Sequence, residues 1–583
     1  MCGIYKQPSA YGFIVLITIM AASATAEKGD PVVPANRPFM LSANHIAATI
    51  RKRRIVVNHQ ADGLLKCVQQ SMTIDQIMQY EFGFADESHT HIDGQWWSLD
   101  NTFPMKSRIL IDQTSPSVPS YVGPERVKIF QRWADDSLNI AKVYINQTKK
   151  RGLECFYSYR LNEDTQSEHR GLAQAHPDWV IHGEWDQPIW NFSVPEVRQF
   201  KTDILSELAE EFDFDGIEID FSRGVLLTPA GQQWTQRHHV TEFVRMVRRA
   251  TLDAEHKRGK PVLLAVRIPD NLMGCHFDGL DVETWVGENL VDMLVLGVRS
   301  FELDIAAFNR LVGSKPIQIL AVLDDHHCTD GYSWPPIQVW RGVCANWWQQ
   351  GIDAIQTFNW GVAPPKIAAK FNLRFTGAYQ EGGRQIPVYQ QAYHELGDPA
   401  TLTFLEKHFV VQRRGGGGSG GANIDDWHTP RFNYQNTNLL GQLPAVLDNT
   451  SRVDTLLQLR VADDLDKMNN HIASLTLRVL LSDPATNQLP EDQKIDSVAI
   501  NPFWDNPRQK TSPVRKDLVD RLEVRVNNIL LEKPTVANGW FVFQPDPLAF
   551  AVGENLVGIL VQGRDQQTLP MSVEKLEIHV SYR

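Results

Sequence analysis

Eight short apolar runs, each followed by a longer segment with helical spacing, recur between about Arg51 and Leu373 of this 583-residue chain. The runs are RRIVVN (53–58), HTHIDGQWW (89–97), GLECFYSYR (152–160), FDGIEIDF (214–221), PVLLAVRI (261–268), VDMLVLGV (291–298), PIQILAVL (316–323) and IDAIQTFNW (352–360). Most are nearly continuous in apolar residues, the pattern of parallel strands covered on both faces. Between them the clearest helical spacing spans 125–150, 197–212 and 235–258. Pro195 followed by Glu196 suits a first helical turn, and Gly152 and Gly259 suit C-terminal caps. Eight strand–helix repeats is the count that closes a TIM barrel. An open doubly wound sheet is the rival, yet no G-x-G-x-x-G or P-loop follows any run. The expected fold is α/β: a TIM (β/α)8 barrel over 51–375.

After Phe375 the pattern changes. A connector (376–399) leads into a region, 400–583, of short strand-like runs separated by turn signals, among them TLLQLRVADD, ASLTLRVLLSD, GWFVFQP and VEKLEIHVSYR. Helical periodicity is nearly absent, so an antiparallel β-sandwich is expected to follow the barrel. Within it, 415–421 is Gly-rich and reads as a loop, because HFVVQRR before it already has the look of a sandwich strand.

At the other end, Lys6 precedes an apolar run from Tyr11 to Met20 and small residues ending Ala24-Thr25-Ala26. This is the layout of a signal peptide, expected over 1–26 with cleavage after Ala26 and an N-terminal extension over 27–50. The expected location is secreted or periplasmic, with no membrane span after cleavage. Beyond Cys2, five scattered cysteines without C-x-x-C spacing form neither a disulfide framework nor a zinc knuckle. The net charge of −12 argues against a nucleic-acid partner, which calls for a basic face.

The fourth run places acids where a strand should be buried. Alternate residues of a strand share a face, so Asp215, Ile217, Ile219 and Phe221 are expected to point outward and Gly216, Glu218, Asp220 and Ser222 inward. Asp220 then lies near the C-terminal end of the strand, where TIM-barrel active sites are built. Glu218 sits one layer deeper and calls for a partner, with Arg160 or Arg267 of the flanking runs in reach. A polar network without chemistry is the competing account, stronger for Glu218 than for Asp220.

The stretch DGIEIDFSR (215–223) resembles the D-G-I-x-x-D-[YF]-x-R segment of the glycosyl-hydrolase-like family 10 proteins, secreted bacterial TIM-barrel proteins. The resemblance continues through Arg53-Arg54-Ile55-Val56 with Asn58, through Tyr159-Arg160-Leu161-Asn162 with Asp164, and through His176-Pro177-Asp178-Trp179. It implies a glycosidase acting on an oligo- or polysaccharide, with Asp220 as the leading catalytic carboxylate and no cofactor. The chitinase motif D-G-x-D-x-D-x-E fails here: Asp215, Glu218 and Asp220 match its first three acids, but its catalytic Glu falls on Ser222.

Glycoside hydrolysis generally uses two carboxyl groups. For the second, Asp324 is favoured because it directly follows the strand-like ILAVL, with Glu163, Asp164, Glu302 and Asp325 as alternatives. Arg160, Asn162, Asp164, Arg223, Arg267 and Asn58 are expected to line the substrate site. Trp97, Trp179 and Trp360 are the expected stacking platforms, because indoles present a flat apolar face and several of the 16 tryptophans fall at predicted strand ends. Two other classes stand beside this reading. One is a carbohydrate-binding barrel without turnover. The other is a metal-dependent amidohydrolase, prompted by His89-Thr90-His91 with His59 and His326-His327.

Overall fold

The computed structural model describes residues 37–60, 72–98, 138–162, 170–182, 188–222, 226–297, 300–324, 326–327, 331–333, 335–360, 388–413, 440–450, 452–500, 510–564 and 569–583. The expected signal peptide, the Gly-rich run, Glu163, Asp164, Arg223 and Asp325 lie outside these residues.

Eight parallel strands close into a barrel: β1 (Ile55–Gln60), β2 (Ile92–Ser98), β3 (Glu154–Arg160), β4 (Gly216–Asp220), β5 (Leu263–Ile268), β6 (Met293–Leu296), β7 (Gln318–Leu323) and β8 (Ala354–Phe358). They follow one another in sequence order around the barrel, and β1 pairs with both β2 and β8. Each of the eight apolar runs overlaps one of these strands. The helices used below are α1 (Ala43–Thr49), α2 (Ile74–Glu81), α3 (Ile140–Lys150), α4 (Pro195–Glu211), α5 (Arg237–Arg258), α6 (Leu272–Phe277), α7 (Ile305–Val312) and α8 (Ile337–Gln350). Pro195 opens α4, where its missing N–H is harmless. Gly259 ends α5 in the left-handed region at φ +69°, a conformation glycine adopts without strain.

Strand alternation sorts the side chains. Ile217 and Ile219 of β4 join the shell between strands and helices. Val56, Trp96, Phe156, Leu320 and Val322 fill the lower interior. Gly216 is required beneath this floor, since a Cβ there would lie 2.4 Å from the Phe156 ring and 2.7 Å from the Leu263 carbonyl oxygen.

Helix α1 lies across the N-terminal end of the barrel. Arg53, fully buried, ties it down: its guanidinium donates to Glu154 at the start of β3 (2.7 and 2.9 Å), to Gln318 at the start of β7 (2.6 Å), and to the Ala48 and Thr49 carbonyls. His45 of α1 is also buried, its ring nitrogens 2.5 Å from Glu255 and 2.9 Å from Asp292, while Arg248 holds Asp292 through two bonds of 2.7 and 3.0 Å. Burial by itself would lower the His45 pKa, but the hydrogen bonds and charge of Asp292 and Glu255 outweigh it and raise the value.

The C-terminal region is a sandwich of two antiparallel sheets. One is built on β9 (Lys407–Val410), β11 (Ile472–Ser482), β13 (Trp540–Phe543) and β15 (Ser572–Tyr582), and the other on β10 (Thr455–Val461), β12 (Leu522–Val526) and β14 (Gly553–Val561). Alternate residues such as Leu457, Leu459 and Val461 face Val479, Phe541 and Ile578 in a core continuous with the barrel's outer shell. Full burial of each such side chain contributes about 1.5–3 kcal/mol. As expected, HFVVQRR supplies a sandwich strand, β9, paired with β15.

Barrel and sandwich meet along α8. Gly342 in the middle of that helix passes so close to β9 that a Cβ would sit 2.1 Å from the His408 carbonyl oxygen. Tyr332 of the barrel donates to Glu577 of β15 (2.8 Å), with the Lys575 ammonium 3.7 Å over its ring. Gln412 accepts from the backbone N–H groups of Phe301 and Glu302, fixing the segment after β6. Cys155, Cys275 and Cys344 are buried free thiols.

Candidate active site

The inward face of β4 is built in three levels. At the bottom the Trp96 and Phe156 rings stack, centroids 4.3 Å apart. Above them Glu218, fully buried, accepts hydrogen bonds from Asn58 Nδ2 (2.6 Å), Ser158 Oγ (2.5 Å) and Gln356 Nε2 (2.7 Å). Four strands, β1, β3, β4 and β8, thus converge on one carboxylate. The top level carries Asp220, whose Oδ2 pairs with Arg267 Nη2 and whose Oδ1 accepts from the Ser222 N–H at 2.9 Å. The Arg267 guanidinium carbon sits over the Phe358 ring, 4.1 Å from its centroid, and Arg160 approaches the same ring at 5.5 Å. Arg160 also reaches Asn359 Oδ1 at 3.5 Å.

The expected partnership for Glu218 is therefore corrected. Both arginines belong to the level of Asp220, because the register sets Asp220 opposite Arg160 on one side and Arg267 on the other. Glu218 is opposite Ser158 and Ala265, and neutral donors satisfy it. Asn58 correspondingly binds Glu218 and Ser158, at 2.9 Å from the serine, instead of standing open at the rim.

Asp324 follows β7 on the inward parity set by Leu320 and Val322 and is fully buried. Asp270, two residues beyond β5, was not singled out by the sequence; it is buried and accepts from Ser300 Oγ and Asn271 Nδ2, each at 2.7 Å. The signal for it was available, since it follows the R-I-P end of a predicted strand. Glu302 turns toward the sandwich: burial pushes its carboxyl up to about 7, with Arg460 opposing and Glu554 adding to the shift.

Two expected platforms prove to be core residues. Trp97 points outward, packs edge-on against Phe82 and Tyr144, and donates from Nε1 to Thr148 of α3 at 2.9 Å. Trp360 would face inward by strict alternation, but Asn359 takes a left-handed backbone (φ +61°), and Trp360 packs instead on Trp340, Tyr389 and Tyr393. Trp179 is half-buried and stacks on His176, centroids 4.1 Å apart. Asn162 braces loops, accepting from the Trp190 N–H at 2.8 Å and donating to the Leu226 carbonyl at 3.4 Å. Trp234, beyond β4, is the described tryptophan with the greatest exposure, at 38%.

Three histidines of the metal reading, His59, His89 and His91, do not share a face. His89 and His91 precede β2, at the N-terminal end of the barrel, opposite the end that carries Asp220. His59 points outward against Trp97 and Glu81. Among the described residues, no group of three or more His, Cys, Asp or Glu side chains could hold a metal ion, and no helix is long and apolar enough to cross a membrane.

No family model matches the chain. A 66-residue segment is 35% identical to a probable α-galactosidase G from Emericella nidulans, covering 10% of this chain and 9% of that protein. The chain thus spans under a tenth of the length of the curated relative it matches. Among solved structures it is similar to an α-amylase from Anoxybacillus, at 11% identity and a TM-score of 0.35 over 88% of this chain and 99% of that one. An α-amylase from Geobacillus thermoleovorans, complexed with acarbose, matches at 13% identity and a TM-score of 0.34 over 90% and 98%. All three carry glycoside hydrolase names, while the barrel itself is established by the strand register above.

Proposed function

We propose that the chain is a secreted glycoside hydrolase of the glycosyl-hydrolase-like family 10 type, acting on an oligo- or polysaccharide at the C-terminal face of the barrel. The observation that carries the reading is Asp220: a carboxylate at the C-terminal end of β4, paired with Arg267 at the top of a polar bowl. An ionised Asp so placed can attack an anomeric carbon, activate a water or stabilise oxocarbenium charge. Asp324 is the proposed proton donor, and Arg160 and Arg267 the groups that orient substrate hydroxyls. Glu218 is assigned a scaffolding role, since its donors come from three other strands of the barrel wall. Aryl-glycoside and polysaccharide screens on wild type and Asp220→Asn test this. Hydrolysis of at least one substrate by wild type and its loss in the variant are expected; hydrolysis that survives in the variant sinks the assignment.

One observation favours a second reading, a carbohydrate-binding barrel without turnover. Asp220 is fully buried and committed to Arg267, an arrangement that also suits a purely structural ion pair. Oligosaccharide binding with no detectable hydrolysis in wild type supports this alternative.

A further inference from the structure

We propose that the sandwich carries a second ligand site, apart from the barrel, for a carboxylate borne on a compact body with C–H faces, the chemistry of a uronic acid residue in an acidic glycan. Beside the C-terminal ends of β11 and β14 and the N-terminal end of β12 lies a cavity of about 340 Å³, near the lower end of the about 300–1,000 Å³ typical of small-molecule sites. Its lining joins three guanidinium groups, Arg515, Arg521 and Arg564, to an apolar floor that includes Leu489, Leu518 and Met571. Fixed forks of N–H donors match a carboxylate bidentately, while the floor suits a ring's apolar face.

The forks are held in place before any ligand arrives. Arg521 donates to the Gln562 and Gly563 carbonyls (2.8 and 3.1 Å) and to Asp517 (3.1 Å), and Asp517 also accepts from Arg515 at 3.1 Å. Arg564 donates to the Leu569 carbonyl at 3.0 Å and is only 8% exposed. Burial lowers the Arg564 pKa, with the charges of Asp483 and Asp448 opposing. Asp483 lines the cavity, Asp517 braces two of the arginines and the charge of Asp448 also reaches Arg564, so the three guanidinium groups are set in place by carboxylates around the rim.

The site stands whether or not the barrel is catalytic. Two sources carry this chemistry, an acidic glycan and a free organic acid, and calorimetry on the full chain separates them. Digalacturonate is expected to bind, with affinity reduced at least about tenfold by Arg515→Gln, as loss of a charged hydrogen-bonding partner predicts. Ala485→Trp, at an exposed lining position, is expected to abolish binding by filling the cavity. Both positions are exposed, and unchanged melting temperatures show that the variants fold. Cyclohexanecarboxylate binding with the same sensitivity to both variants supports the site and assigns its source as a free acid. Neutral galactobiose is expected to give no heat that responds to either substitution. The proposal fails if neither carboxylate binds, if both variants bind digalacturonate as wild type does, or if inorganic phosphate binds as tightly. A probe held in the barrel is insensitive to these sandwich substitutions, so the two sites are told apart.

Discussion

Asp220 and Arg267 are register partners on neighbouring strands and close an ion pair inside the barrel, with the arginine laid against Phe358. Removing one partner from such a pair leaves an uncompensated buried charge, at a cost of about 3–5 kcal/mol. Asp220→Asn is therefore expected to lower the melting temperature as well as abolish turnover. Asp220→Asn combined with Arg267→Met is expected to restore most of the stability and none of the activity. Chemical denaturation alongside turnover assays checks this; recovery of activity in the double variant would remove Asp220 from the chemistry.

Glu218 receives three hydrogen-bond donors and offers none of its own. In Glu218→Gln one oxygen becomes an NH₂ group facing donors from Asn58 and Ser158 or from Gln356. The resulting unsatisfied groups cost about 1–3 kcal/mol each. A clear loss of thermal stability is expected, measured by differential scanning calorimetry, and a melting temperature equal to wild type counts against the scaffolding role.

The His45 cluster makes stability depend on pH. Its folded pKa is raised above the unfolded value of 6.5, so its contribution is fully present below about pH 6.5 and is lost as pH rises through the folded value. His45→Gln is expected to destabilise the protein more at pH 5.5 than at pH 9. Denaturation curves at the two pH values decide the matter, and a pH-independent difference refutes it.

Gly342 lets α8 touch the backbone of β9. Gly342→Ala must push helix and strand apart, and overpacking of this kind costs about 1–3 kcal/mol. Limited proteolysis is expected to cleave between barrel and sandwich faster in the variant, and an unchanged digestion pattern would show that the seam yields without loosening.

The period-two logic of strands explains what the sequence revealed and what it hid. It sorted Ile217 and Ile219 from Glu218 and Asp220 correctly, because β4 is regular and its apolar residues alternate with polar ones. For adjacent aromatics the same rule had the answer: Trp97 faces out into the helix shell while Trp96 faces in and is buried in the floor, so neither indole at this strand is a platform. At β8 the rule breaks at Asn359, whose left-handed backbone redirects Trp360, and Asn is among the few residues that adopt that conformation readily. The partners of Glu218 were missed for another reason. Arg160 and Arg267 are near it in sequence-derived strands, but register places them one level higher. Asp270 and Trp234 show that loops beyond strand ends carry residues that periodicity does not rank.

The stacked Trp96 and Phe156 rings have a consequence for traffic. They and their neighbours fill the interior beneath Glu218, so nothing passes through the barrel, and Asp220 can be approached only from the C-terminal end of the strands. On the function proposed above, a glycan is bound and released on that one side, across the strand ends.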